Sequence, residues 1–279
     1  MRRFYAFLIS AALLLMPLSP VEAAESVTVP ILMYHEVSLT DFGKDVISPE
    51  ELESDIVSLL REGFAPVVME DLIRYVSLGE ALPDKPVVLT FDDGFRNTYV
   101  LARPILEKYG VPIVLSLIGK GLDDFTLWPS DSLLHTQMTW TEAAELSSLG
   151  IAELQNHSYE LHAFPGCVRR EGQSESDYAA MLREDALRMQ EALYTRTGTC
   201  GTVFTYPYGY YDPASDDILL EAGFSATLTC DFGINRLAVG DKGSLYGMKR
   251  ICRVHGRDVL SLLTEAEEFT SLAPSSRIP

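Results

Sequence analysis

Apolar and polar positions along this chain change period several times, and each change marks an element. The run SVTVPILMYHEV, residues 26–37, is rich in β-branched and apolar side chains and reads as a strand ending at Tyr34 and His35. Next comes SPEELESDIVSLLREGF. Its apolar positions recur at helical spacing, Ser48 stands at the N-cap, Pro49 at the first helical position, Glu51 completes a capping box, and Gly63 closes the helix. A short extended piece at 66–68 leads to a helix over 71–78 and then to Val87–Phe91, an unbroken apolar run of the kind covered on both faces in parallel sheets. The alternation continues with a helix ending at Tyr109, a strand over 112–118, a helix over 141–149 and a strand over 152–155. A long helix over 176–197, a strand over 203–205, a helix over 213–222 and strands over 225–228 and 249–254 complete it. Strand and helix alternate about seven times without a linker, which predicts one α/β domain, a distorted (β/α) barrel with about seven parallel strands.

Composition refines this picture at three points. With 279 residues, 47% of them hydrophobic and 22% charged, the chain has the balance of a globular domain long enough for one large barrel. Residues 1–23 depart from it: Arg2 and Arg3 precede an apolar stretch from Phe4 to about Leu18, and Val21 and Ala23 form a small-residue cleavage site. They read as a bacterial-type export signal, cleaved or kept as an N-terminal anchor, ahead of a domain over 24–279 that is secreted or cell-surface, with no further integral membrane span. The stretch is short beside the roughly 20 residues that a membrane span requires. The net charge of −18 repels phosphate backbones, so nucleic acid is excluded as a partner and neutral or cationic ligands are favoured. Cys167, Cys200, Cys230 and Cys252 show no C-x-x-C spacing, which argues against a zinc-thiolate knuckle. Export permits disulfides, and Cys230 with Cys252 is the pairing weakly preferred. Oligomeric state is not legible.

Candidate chemistry gathers at strand ends. TFDDG, residues 90–94, sets Asp92 and Asp93 at the C-terminal end of the 87–91 strand, where α/β folds place their reactive groups. Two adjacent carboxylates repel when ionised, so water, a shared proton or a cation must compensate them; Asp and Gly together also favour a plain turn. In AELQNHSYELHAF, a strand delivers His157 and, five positions on, His162. On a helix that spacing would set them about 140° apart, whereas a loop lets them converge. Two imidazoles and the Asp93 carboxylate would make a facial triad that leaves positions on a divalent metal open, and Asp92 would be free to act as a base. In VFTYPYGYYD, Pro207 lacks an N–H, so Tyr208 carries the first donor after the strand, on a turn stiffened by proline.

These residues together resemble the polysaccharide deacetylases of the NodB-homology type, carbohydrate esterase family 4. TFDDG is similar to the family's first motif, HSYELH to its second and YPYG to its third, over about residues 28–260. The resemblance implies a distorted barrel, one divalent metal and hydrolytic removal of acetyl groups from a glycan. It implies Asp92 as base, Asp93, His157 and His162 as metal ligands, and the Tyr208 N–H, behind Pro207, as donor to the oxyanion. Zinc is the expected metal, with cobalt, nickel or iron as alternatives.

Three departures shape the expectation. The second motif commonly spaces its histidines by four, but here the fourth position is Leu161 and the fifth is His162, a variant similar to the branch that deacetylates poly-β-1,6-N-acetylglucosamine. The third motif commonly carries an arginine that orients the base, and here that position is Thr205; Arg250 is the candidate to supply the guanidinium from another strand. No late LLH motif is present. If the motifs are circularly permuted, as in that branch, His35 at the end of ILMYH is the acid, because the first and last strands of a closed barrel are neighbours; His255 is the rival. The expected activity is N-deacetylation of poly-N-acetylglucosamine or of a cell-wall or chitin-like polymer. The alternatives are a glycan-binding protein that has lost turnover and an O-acetyl esterase acting on xylan.

Overall fold

The computed structural model describes residues 26–40 and 42–272; the export signal read at 1–23 lies outside them. In chain order the elements are β1 (Val27–Val29), β2 (Ile31–Tyr34), β3 (Glu36–Val37), β4 (Val46–Ile47), α1 (Pro49–Arg61), β5 (Ala65–Val67), α2 (Met69–Leu78) and β6 (Pro86–Phe91). A π-helical turn at Thr98–Ala102 runs into α3 (Arg103–Tyr109). Then follow β7 (Ile113–Leu117), α4 (Gly119–Leu127), α5 (Trp140–Ser148), β8 (Ala152–Asn156), α6 (Glu175–Thr197), β9 (Val203–Thr205), α7 (Ser215–Glu221), β10 (Ala226–Leu228), β11 (Asn235–Leu237), β12 (Ile251–Cys252) and α8 (Val259–Leu272).

Seven strands form one curled parallel sheet in the order β10-β9-β8-β7-β6-β2-β12, and β5 pairs with the first half of β6. The segment leading into β12 bridges the two outer strands: the Thr229 N–H donates to Met248 O (2.9 Å), Met248 N–H to Thr227 O (2.9 Å) and Arg250 N–H to Asp231 O (2.9 Å). The distorted barrel expected from the alternation is therefore the architecture found. Strands β2, β6 and β7 are buried along their whole length, because helices cover the outside while inward side chains fill the barrel. Helix α1 begins at Ser48 with both halves of the predicted capping box made.

Several elements differ from the sequence reading. Pro30 splits the 26–37 run: β1 leaves the barrel to pair antiparallel with β11, while β2 enters it. Helices α4 and α8 and the short strands β4 and β11 are additions to the elements expected, and the 249–254 strand contracts to Ile251–Cys252. The Cys230–Cys252 pairing is overturned. All four cysteines are free thiols, the Cys252 Sγ lying 3.2 Å from Asp45 Oδ1 and the Cys230 Sγ 3.7 Å from Arg250 Nη2.

Candidate active site

Register places the candidate residues on one barrel rim. Tyr34 pairs with Phe91, so His35 and Asp92 leave adjacent strands at the same level, and the Asp92 N–H donates to Tyr34 O (3.0 Å). On the other side, Asn156 pairs with Phe204, which brings His157 beside Thr205. The His157 N–H bonds Leu117 O (3.0 Å), so three strands fix the start of the histidine loop.

The two aspartates diverge because Asp93 has φ +68, left-handed backbone that non-glycine residues rarely adopt. Ser158 (φ 70) and Tyr208 (φ 58) share this conformation. All three lie in loops leaving strand ends at the site, where strain of this kind persists only if the surroundings hold it. Asp92 turns inward to Arg250, whose Nη1 lies 2.9 Å from Oδ1 and 2.8 Å from Oδ2. Both residues are about 1% exposed. A buried guanidinium is tolerated only when paired and hydrogen-bonded, and Arg250 also donates to Thr229 O (2.7 Å) and Thr90 Oγ1 (3.2 Å). The guanidinium missing from the third motif thus arrives from the approach to β12. Thr205 instead supports the second motif, its carbonyl meeting His157 Nδ1 (2.8 Å) while its hydroxyl bonds Ser116 Oγ (2.8 Å).

Asp93 turns the other way. Its Oδ1 lies 3.2 Å from His157 Nε2 and 3.1 Å from His162 Nε2, and the three ligand atoms fall within 4.8 Å of one another. Buried Oδ1 nonetheless makes no hydrogen bond among the described residues. Atoms this close that do not satisfy one another suit a shared cation. The donor set fits too: bonding of His157 Nδ1 to a carbonyl places the proton there and leaves Nε2 with its lone pair, the usual support of a metal-binding imidazole. Burial alone would raise the Asp93 pKa, but the two imidazoles hold it well below the usual carboxylate range. Burial would lower that of His157, yet Asp93, Asp92 and the Thr205 carbonyl raise it.

The histidine loop is shaped from below by Asp185 on α6, which accepts the N–H groups of Tyr159 and Glu160 at 2.8 Å each. Nothing in local sequence marks Asp185, because it contacts the loop only through tertiary packing. Within the third-motif turn, buried Pro207 precedes Tyr208, and the N–H groups of Gly209 and Tyr210 are spent on the carbonyls of Tyr206 and Pro207. Gly209 is required twice over: its φ is +71, and a Cβ there would lie 2.5 Å from Cys230 Cβ. The Tyr208 ring stands 4.5 Å from that of His162, and the residue is half exposed.

The two acid candidates separate. His35 Nδ1 is buried and has no hydrogen-bond partner among the described residues. His255 is engaged elsewhere, its Nδ1 2.8 Å from Glu51 and its ring stacked on Phe42 at 4.7 Å.

Residues 79–227 match the family described as Polysaccharide deacetylase. A poly-beta-1,6-N-acetyl-D-glucosamine N-deacetylase of Escherichia coli (strain K12) is 27% identical over 205 residues, covering 66% of this chain and 30% of that protein. The matched region is thus less than a third of that relative's length. Among solved structures, the deacetylase PplD of Streptococcus pyogenes superposes with a TM-score of 0.71 at 22% identity, covering 87% of this chain and 100% of that one. IcaB from Ammonifex degensii gives 0.68 at 23% identity, with 86% and 95% covered. At these identities the structural likeness speaks for the fold.

Proposed function

We propose, since this chain belongs to the polysaccharide deacetylase family, that it is an exported, metal-dependent hydrolase that removes N-acetyl groups from a poly-N-acetylglucosamine polymer. The observation that carries the reading is the meeting, on one rim, of the Asp93–His157–His162 cluster with the buried Asp92–Arg250 pair. The histidine spacing and the name of the Escherichia coli relative favour the β-1,6-linked polymer as substrate.

Asp93, His157 and His162 would hold one divalent cation, zinc first with cobalt, nickel or iron as alternatives. When bound, such an ion polarises the acetamide carbonyl and lowers the pKa of a water. The remaining chemistry belongs to the chain. Asp92, aimed by its bonds to Arg250, takes the proton of the attacking water. The Tyr208 N–H, on a turn fixed by Pro207, donates to the acetyl carbonyl oxygen as it becomes an oxyanion on attack by the water. His35 gives a proton to the departing nitrogen as the C–N bond breaks, so acetate and a free amine leave. His35 is preferred to His255 because it leaves the strand beside that of Asp92, whereas His255 is held by Glu51 and Phe42.

Acetate release from N-acetylglucosamine oligomers tests the reading. Release should stop after exhaustive chelation and return with added divalent metal; activity untouched by chelation would overturn it. Acetylated xylan and β-1,4-linked oligomers in the same assay separate the O-acetyl esterase and chitin-like alternatives. Thr205 at the arginine position is the motive for a binding protein without turnover; Arg250 on Asp92 supports the reading with turnover, and glycan binding without acetate release would favour the other.

A further inference from the structure

Residues 128–139, which join α4 to α5, have no part in the reaction above, yet they cross the turn that carries both aspartates. The crossing is stitched by backbone bonds: Arg96 N–H to Thr136 O (2.7 Å) and Met138 N–H to Gly94 O (2.8 Å), with Phe95 and Gln137 facing each other as an antiparallel bridge. From this strap the Gln137 side chain reaches in, and its Nε2 donates to the Asp93 carbonyl oxygen at 2.9 Å. That carbonyl belongs to the residue held at φ +68. Its direction and that of the carboxylate are set at the same Cα. A donor that holds the carbonyl therefore restrains the backbone of Asp93, and with it the Cα–Cβ direction from which the carboxylate reaches the two imidazoles.

Gly121, on α4, completes the arrangement. Its φ is not left-handed, so the backbone does not require glycine here; space does. A Cβ at Gly121 would lie 1.5 Å from Gln137 Oε1, and the three atoms nearest to it all belong to the Gln137 carboxamide. Glycine inside a helix destabilises it relative to alanine, and here the missing side chain is what seats the carboxamide.

We propose that Gln137, seated against Gly121, is a positioning residue that orients Asp93 for cation binding. The inference rests on the metal-site reading above. Its test is the affinity of the metal-free chain for zinc, measured by competition with a chelating dye, alongside the thermal midpoint as a check of folding. Gln137→Ala should weaken zinc binding about tenfold, the lower end of the range for groups that orient a ligand. Gly121→Ala should weaken it at least as much by expelling the carboxamide. The double variant should bind as Gln137→Ala does, since the clash has gone. Gln137→Met, close in size but unable to donate, should behave like Gln137→Ala and covers the case in which truncation unfolds the strap. Wild-type affinity in Gln137→Met and Gly121→Ala, or penalties that simply add in the double variant, would overturn the proposal. A wild-type chain that binds no zinc, cobalt, nickel or iron would instead overturn the metal site itself, and this inference with it.

Discussion

Asp92 and Asp93 are neighbours in the chain with opposite surroundings, one on a guanidinium and one between imidazoles, and substitutions should separate their roles. Asp93→Ala, His157→Ala and His162→Ala should each cut metal content and acetate release to a similar degree, because each removes one of three protein ligands. Leu161→Ala should leave the metal bound. Asp92→Asn should keep the metal but lower turnover by about 10²–10⁴-fold, since the amide cannot accept the water's proton. His35→Ala should also retain metal while kcat falls. Full occupancy and a normal rate in His162→Ala would mean that the third ligand lies elsewhere. Arg250 is tested separately: Arg250→Met strands a buried carboxylate, and losing one partner of such a pair costs about 3–5 kcal/mol. Its unfolding midpoint in denaturant should drop together with the rate, whereas unchanged stability would mean that Asp92 finds another cation.

Between elements, the ends of β2 and β12 are anchored to α1 by a second buried cluster. Arg253 Nε lies 2.5 Å from Asp55 Oδ2, and the Tyr34 hydroxyl donates to the same carboxylate at 3.1 Å. Burial pushes the Asp55 carboxyl up to about 6, although Arg253 and Tyr34 pull the other way. The folded state therefore holds this proton more tightly than the unfolded chain does. The resulting stability is fully present below about 3.8, the ordinary value, and is lost as pH rises through about 6. Unfolding free energies measured between about pH 3.5 and 7 should thus carry a downward contribution that Asp55→Asn lacks. Parallel curves for the two proteins would show that Asp55 ionises normally. The same anchor explains how His35, one residue beyond Tyr34, is held at the rim.

Across the molecule, charge is the property with a consequence. Under the proposed reaction, a net charge of −18 over 279 residues should attract a glycan that gains free ammonium groups as acetyls leave. Binding of a partly deacetylated oligomer to the Asp92→Asn variant should weaken steadily with added salt, as screening shortens the reach of surface charge. Binding of the fully acetylated oligomer should change little. Equal salt dependence for the two ligands, read by calorimetry, would remove charge from the account of recognition. Within the described residues no helix is long and apolar enough to cross a membrane, so the reading of 1–23 as an export signal is a separate proposal. Its check is the N-terminal sequence of the exported chain, which should begin at residue 24; a chain retaining its first residues would point to an anchor.

Features that depend on near neighbours are legible in the amino-acid sequence. The capping box at Ser48 and Glu51, the buried run at 87–91 and the β-branched strand at 203–205 all announce themselves within a few positions, because periodicity and caps are local. The family motifs at 90–94, 157–162 and 206–209 are legible for the same reason, each being a short stretch at a strand end. Even so, the apolar pattern at 26–37 runs unbroken across Pro30, where the strand divides, and α4 starts on Gly119 with no side-chain cap to announce it. Folding in three dimensions sets the rest. Arg250 reaches Asp92 across 158 positions, Asp185 holds the histidine loop from another helix, and Gln137 meets Asp93 from a strap 44 residues away. Barrel closure creates these contacts by bringing strand ends together, and no local pattern carries them, since a buried arginine or a carboxamide acquires its role only from the partner that folding places opposite it.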